Sequence, residues 1–371
     1  MHTNIRKVMK IMESIAPNHL AESWDNVGLM VGDDLKMVEN ILLALEVTEE
    51  VIDEAIEKNV DLIITHHPLI FKPLKKVTTH DPISKMVIRL IENRINLFVA
   101  HTNLDISEVG TCHYLSELVG LDRVNYLNKT EFENLFKINV KVPKEHVEKV
   151  KQRMFSLGAG QIGDYDSCSF DVPGKGQFKP NDQATPFIGN ANELEIVDEV
   201  NVEMVVKKQV LHTVVEGMLK SHPYEEPAYD VIKLENRINE QGVGVYGFLT
   251  QPTTLKELGH QLKTLLKSDS VKLVGDADKK VSKVAIVTGS GSDYFRDAKR
   301  KADVLITGDV KYHEAHLAKQ LKLAVLDAGH YETETIYMTR LKALLDKSFE
   351  EKSYDLKVMI SETNINPFQL I

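Results

Sequence analysis

"DLIITHHPLIF" (residues 61–71) starts as a strand and stops on two adjacent histidines and a proline. Leu62, Ile63 and Ile64 supply the apolar, mostly β-branched run expected where a strand is covered on both faces. On its N-terminal side, "ENILLALEV" reads as a strand and "TEEVIDEAIEKNV" as a helix with Thr48 at its cap. On its C-terminal side, "ISKMVIRLIENRI" puts Ile83, Met86, Val87, Leu90 and Ile91 on one helical face, and "NLFVAHTNLD" returns to a strand. Such alternation predicts α/β layers with polar groups gathered at the strand ends.

The rhythm changes near residue 127. "LFKINVKVP" alternates like a half-buried strand, and "KEHVEKVKQRMFSLG" is a helix closing on glycine. Turns and short strands follow through "GAGQIGDYDSCSFDVPGKGQFKP", then "EVNVEMVVKK", a helix over 209–220, and "AYDVIKLEN". The order β-α-β-β-β-α-β fits a small α+β sandwich on an antiparallel sheet. From about residue 243 the α/β pattern resumes. Residues 128–240 therefore read as a domain inserted between the halves 1–127 and 241–371 of a discontinuous α/β domain. The halves echo one another. Asp61-Leu-Ile-Ile-Thr65 matches Asp303-Val-Leu-Ile-Thr307, and each leads through a helix to a strand ending in a histidine with a carboxylate four residues on. Those pairs are His101 with Asp105 and His330 with Glu334, and a duplication would bring both strand ends to one cleft.

Composition limits the functional classes. The 371 residues carry 45 basic and 55 acidic side chains, a net charge of −10, which disfavours broad nucleic-acid binding. Cys112 and Cys168 cannot make a disulfide framework for a chain of this size, and no apolar stretch reaches the roughly 18–20 residues a bilayer requires. The opening "MHTNIRKVMKIMESIAP" has Ile5, Val8, Met9, Met12 and Ile15 at helical spacing with charges between them, unlike a secretion signal. A cytoplasmic location is the expectation.

Neighbouring side chains on a strand point to opposite faces, so His66 and His67 cannot easily share one ion in regular strand geometry. Two ions with one histidine each remove the difficulty, and Pro68 biases His67 towards an extended exit. On a helix His330 and Glu334, four apart, reach one site; Glu334 could bridge the two ions and Asp105 complete the set. Imidazole and carboxylate together suit borderline divalent ions: zinc, the first choice, or iron, manganese or nickel. Each piece alone has a bland reading, such as acidic residues opposite a helix dipole or an aspartate holding a turn.

"ESWDNVGLMVGD", "DLIITHHPLIF", "FVAHTNLD", "DVLITGDVKYHEAH" and "DAGHYETE", in that order, resemble the GTP cyclohydrolase 1 type 2 homologues, the NGG-one-interacting-factor-three-like dinuclear-metal proteins. The resemblance covers nearly all of the larger domain. It places the family's metal ligands on His66, His67, Asp105, His330 and Glu334. "HPYEEPAYD" (222–230) resembles the PII/CutA-like, ferredoxin-like insert of longer members, and a toroidal homohexamer with inward-facing metal sites is implied. The residues then give a metal-dependent hydrolase, with a water activated between two divalent ions and His101 as proton carrier. Trp24, the only tryptophan, and Asn26 lie in a polar turn that could cover a pocket, and His316 is the family's choice over His313 for a cleft-facing helix position. The alternative is a non-catalytic metal-binding or regulatory oligomer whose insert senses a small molecule or a partner. "VAIVTGSGSDYF" (284–295) lacks the spacing of a phosphate-binding fingerprint and reads as a tight turn.

Overall fold

The computed structural model describes residues 3–369, except for the side chains of 130–133 and 237–240; the expected boundary at residue 240 falls among the latter. The fold is mixed α/β with several sheets. Two compact units emerge, one of residues 1–130 with 241–371 and one of residues 131–240.

In the first unit, Leu62–Thr65 is the central strand of a five-stranded sheet ordered Lys357–Ile360, Asn40–Ala44, Leu62–Thr65, Asn96–Val99, Gly28–Val31. All neighbours run parallel except Gly28–Val31, which is antiparallel to Asn96–Val99. The three apolar residues of the central strand divide between two cores. Leu62 and Ile64 pack with Ile41, Leu43 and Phe98 beneath the helices Ile5–Ile15 and Tyr337–Glu351. Ile63 packs with Leu42, Leu97 and Val99 against Glu49–Glu57 and Pro82–Glu92. Burial on both faces explains why the strand has no polar alternation. Cutting Ile63 to alanine would cost about 2–5 kcal/mol. Thr48 caps its helix by accepting from the Val51 N–H at 3.3 Å, and Asp81 does the same for Ser84 at 2.8 Å.

The second sheet of this unit orders Lys272–Val274, Ala324–Asp327, Val304–Gly308, Lys280–Ser290 and then the 245–254 stretch. Its three central strands are parallel. They repeat the arrangement of 40–44, 62–65 and 96–99 in the first sheet, strand for strand. The two aspartates of the sequence echo do the same work. Asp61 accepts from the Asn40 N–H at 3.2 Å, and Asp303 from the Lys283 N–H at 2.9 Å, each tying the start of its strand to the neighbour before it.

The second unit pairs residues 135–143 antiparallel with 199–207, and Phe170–Phe178 antiparallel with 195–203. Helices Val147–Ser156 and Leu211–Ser221 supply Val150, Met154, Val214 and Met218, which pack on Ile138, Val140, Val202 and Met204. One strand, not two, lies between the first helix and residue 195, so the order is β-α-β-β-α-β. The difference arises because "GAGQIGDYDSC" supplies turns and an isolated bridge between Ile162 and Tyr165. Both cysteines are free, and among the described residues no helix is long and apolar enough to cross a membrane.

Candidate metal centre

Both sheets of the first unit send the C-terminal ends of their strands to one place, where open α/β sheets commonly bind ligands. His66 and His67 follow Thr65, and His101 and Asp105 follow the strand Asn96–Val99. From the other sheet, Asp309 follows Val304–Gly308, and His330 and Glu334 begin the helix after Ala324–Asp327.

His66 is 1% exposed, and its Nδ1 lies 2.9 Å from the Ala100 carbonyl oxygen. A carbonyl only accepts, so Nδ1 carries the hydrogen. Burial also disfavours the charged ring and lowers its pKa, against the pull of Asp105 and Glu334. The neutral ring therefore presents a bare lone pair at Nε2. That atom is buried without a hydrogen-bond partner, 3.6 Å from Asp105 Oδ1 and 3.8 Å from Glu334 Oε1.

The second cluster lies on the opposite oxygen of Glu334. Oε2 is 2.9 Å from His67 Nε2 and 3.0 Å from His330 Nε2, and the two nitrogens are 3.3 Å apart. Oε2 is also buried without a well-aligned hydrogen bond. Behind the rings, His67 Nδ1 meets Glu46 at 3.4 Å and His330 Nδ1 meets Asp309 at 2.7 Å. Carboxylates on Nδ1 turn both Nε2 atoms towards Glu334. Nitrogen and oxygen atoms this close require positive charge among them, either protons on the rings or a bound cation. Burial opposes charge on His67, but Glu334 and Glu46 outweigh it and hold the ring up to about 10; in the same way Glu334 and Asp309 hold His330 up to about 9. Burial also opposes the Glu334 charge, yet His330 and His67 keep its carboxyl well below the usual range. This field equally favours a divalent cation. Ligands at 2.0–2.1 Å around a tetrahedral ion stand about 3.3 Å from one another, which is the spacing of the two imidazoles. The donor set, the orphaned atoms and the spacing all fit a metal.

The packing around the carboxylates is close. Thr111 Oγ1 donates to Asp105 Oδ1 at 2.5 Å and lies 2.8 Å from Thr288 Oγ1. Gly289, at φ +63°, leaves so little room that a Cβ there would sit 2.1 Å from Glu334 Oε1. Thr288, Gly289 and Ser290 are the end of the strand Lys280–Ser290, across a register shift, rather than the tight turn expected from "VTGSG", and the missing side chain of Gly289 lets backbone approach this carboxylate. Burial pushes the neighbouring Cys112 thiol up to about 11, so it stays uncharged beneath the site.

His101 joins His66 and His67 in a second set of converging donors. Its Nδ1 lies 2.9 Å from Asp25, whose carboxylate also accepts from Thr102 N–H at 3.0 Å and Thr102 Oγ1 at 2.5 Å. Burial alone would raise Asp25, but His101 and Thr102 bring it down to about 2. Trp24 stands edge-on to His101 with centroids 6.2 Å apart, and Asn26 Nδ2 donates to the Ile70 carbonyl at 2.6 Å. His316 is not gathered with this group among the described residues; its ring partner is Tyr312 at 4.7 Å. Sequence reading did not single out Glu46, Asp309 or Thr111 for the site. Each follows a strand or opens a helix beside a ligand, a position shared with many residues that do nothing of the kind. The repeat could have pointed to Asp309, the counterpart of His67 two residues past the matched threonine.

The model of the family Duf34/NIF3 (NGG1p interacting factor 3) matches residues 3–367. The GTP cyclohydrolase 1 type 2 homolog of Bacillus subtilis (strain 168) is 42% identical over 369 residues, covering 99% of both chains. The protein of the same name from Halalkalibacterium halodurans is 38% identical over 369 residues, again covering 99% of both. Among solved structures, a Bacillus cereus protein related to NIF3 superposes with a TM-score of 0.89 at 36% identity, covering 100% of this chain and 99% of that one. A Staphylococcus aureus protein gives 0.84 at 31%, with the same coverage.

Proposed function

The chain belongs to the Duf34/NIF3 family, and from that footing we propose that it is a hydrolase working on a dinuclear metal centre. The observation that carries this reading is the division of Glu334: Oε1 towards His66, whose Nε2 also faces Asp105, and Oε2 towards His67 and His330. On this reading those five residues would hold the two ions, zinc first among the first-row divalent metals. Bound there, the ions would supply a water of lowered pKa and a Lewis-acid contact for the electrophile. His101 accepts the proton released in attack and returns it to the leaving group, while Asp25 holds the imidazole in one orientation. Ala100, Glu46 and Asp309 keep the other three rings turned with Nε2 inward.

The names of the relatives make GTP ring opening the first reaction to try, and phosphoester and amide hydrolysis use the same residues. The β-α-β-β-α-β unit of residues 131–240 is read as a PII/CutA-like insert, in support of which stand its antiparallel sheet and two helices on one face. A cytoplasmic homohexamer completes the proposal by family resemblance. The test is turnover of GTP and a phosphoester panel by metal-quantified protein and its Glu334→Ala variant. Activity that vanishes with the metal and with this carboxylate supports the hydrolase. No turnover at full metal occupancy favours the non-catalytic, regulatory alternative.

A further inference from the structure

Trp24 and Phe71 are large aromatic side chains left 56% and 47% exposed beside the histidine cluster. Their rings lie 5.7 Å apart at 50°. Trp24 meets His101 edge-on, and the His101 ring lies 5.2 Å from His66 and 5.6 Å from His67. An aromatic step thus leads from the cluster to the surface, and the Asn26 bond to Ile70 fixes the turn bearing Trp24 to the segment bearing Phe71. Phe71 is also a wall of a cleft of about 580 Å³ that Lys72, Lys75, Lys76 and Ile83 help to line. Among the described residues the three ammonium groups have no carboxylate partner, and the one acid of the cleft, Asp81, is already occupied capping a helix through the Ser84 N–H. In a chain of net charge −10 this is a local excess of unsatisfied positive charge next to exposed ring faces.

We propose that the Trp24–Phe71 step and the lysine cleft bind a small planar heterocycle that carries phosphate. The ring stacks on the two aromatics and the phosphates sit among Lys72, Lys75 and Lys76, which places the ring beside His101 and the histidine pair. The cleft has the size of a small-molecule site, roughly 300–1,000 Å³. A nucleic-acid strand needs a longer basic track with repeated stacking positions, and the surrounding charge is of the wrong sign. The inference names the substrate class for the hydrolytic centre proposed above and rests on that reading.

Trp24 is the only tryptophan, so its emission reports on stacking at this step alone. Metal-loaded protein is titrated with a purine nucleoside triphosphate as its magnesium complex, with the parent nucleoside, with inorganic tripolyphosphate and with a single-stranded oligonucleotide. The nucleotide and the nucleoside should both quench Trp24, the nucleotide at lower concentration. A Lys72→Ala/Lys75→Ala/Lys76→Ala variant should weaken the nucleotide at least about tenfold and leave the nucleoside unchanged. Phe71→Ala should weaken both. Unchanged emission, an unaffected lysine variant, or preference for the oligonucleotide would overturn the proposal. Absent binding at normal metal content counts against this site only, whereas normal binding without turnover counts against the hydrolase only.

Discussion

Replacing Gly289 with alanine perturbs the centre without touching a ligand. The new Cβ would stand 2.1 Å from Glu334 Oε1 and 3.2 Å from His330 Nε2. Non-bonded carbon and oxygen rarely approach closer than about 3.3 Å, so the carboxylate must retreat by about 1 Å. Metal ligands tolerate deviations of about 0.2 Å. Because Glu334 lies between both sets of donors, occupancy of both positions should fall, with affinity reduced by about 100-fold or more. The left-handed backbone at φ +63° adds a separate cost of about 1–2 kcal/mol. Gly120 provides the control. It has φ +81° and open space, with nothing within 4 Å of where a Cβ would stand, so Gly120→Ala carries the backbone cost alone. Metal per chain is measured after dialysis, beside thermal unfolding of the stripped proteins. Both variants should lose a few degrees of Tm, and only Gly289→Ala should lose metal. A Gly289→Ala protein that keeps the wild-type metal content would refute the reasoning.

Asp25→Asn should leave metal content intact and lower turnover by about 10²–10⁴-fold, read from kcat and from a changed pH profile. His67→Ala should lower bound metal per chain while circular dichroism and unfolding show an intact fold, since this ring is partly exposed; unchanged metal content would remove His67 from the ligands. Glu54 gives a pH dependence far from the centre. Burial opposes its charge, but Lys58, Ser361, Thr363 and the Glu362 N–H outweigh it and bring the carboxyl from 4.5 down to about 2. A lowered folded-state pKa stabilises above the unfolded value and loses that contribution as pH falls. The docking of 361–363 should therefore hold at neutral pH and weaken from 4.5 towards 2, measured by hydrogen exchange of those amides; Glu54→Gln should show the weakened state already at neutral pH.

The strands and helices around the centre were legible because burial imposes a pattern. A strand covered on both faces reads as a continuous apolar run at 62–64, and its flanking helices read from apolar spacing and from caps at Thr48 and His330's acidic first turn. The grouping of His66, His67, Asp105, His330 and Glu334 was accessible because it follows from strand alternation, helical i,i+4 geometry and an internal repeat. The structure brings these five side chains together, although their role as ligands stays a proposal. The residues that turn the rings were not legible. Glu46 and Asp309 act through distances to Nδ1 that no spacing encodes, and Ala100 acts through a backbone carbonyl that every residue possesses. The lysine cleft was missed for a similar reason: a lysine-rich loop is ordinarily a solvated surface, and only its closeness to exposed rings gives it meaning. His316, chosen for the pocket by family resemblance, has its ring against the exposed Tyr312 and is not among the converging donors of the described residues; its pocket role stays a proposal.

The central claim is that two cations share Glu334. Anomalous diffraction from crystals of metal-replete protein, collected on both sides of the absorption edge of the bound element, tests it directly. The account expects two peaks, one beside His66 and Asp105 and the other beside His67 and His330, with Glu334 touching both. One peak without Glu334, or none between these side chains at full metal load, would contradict it.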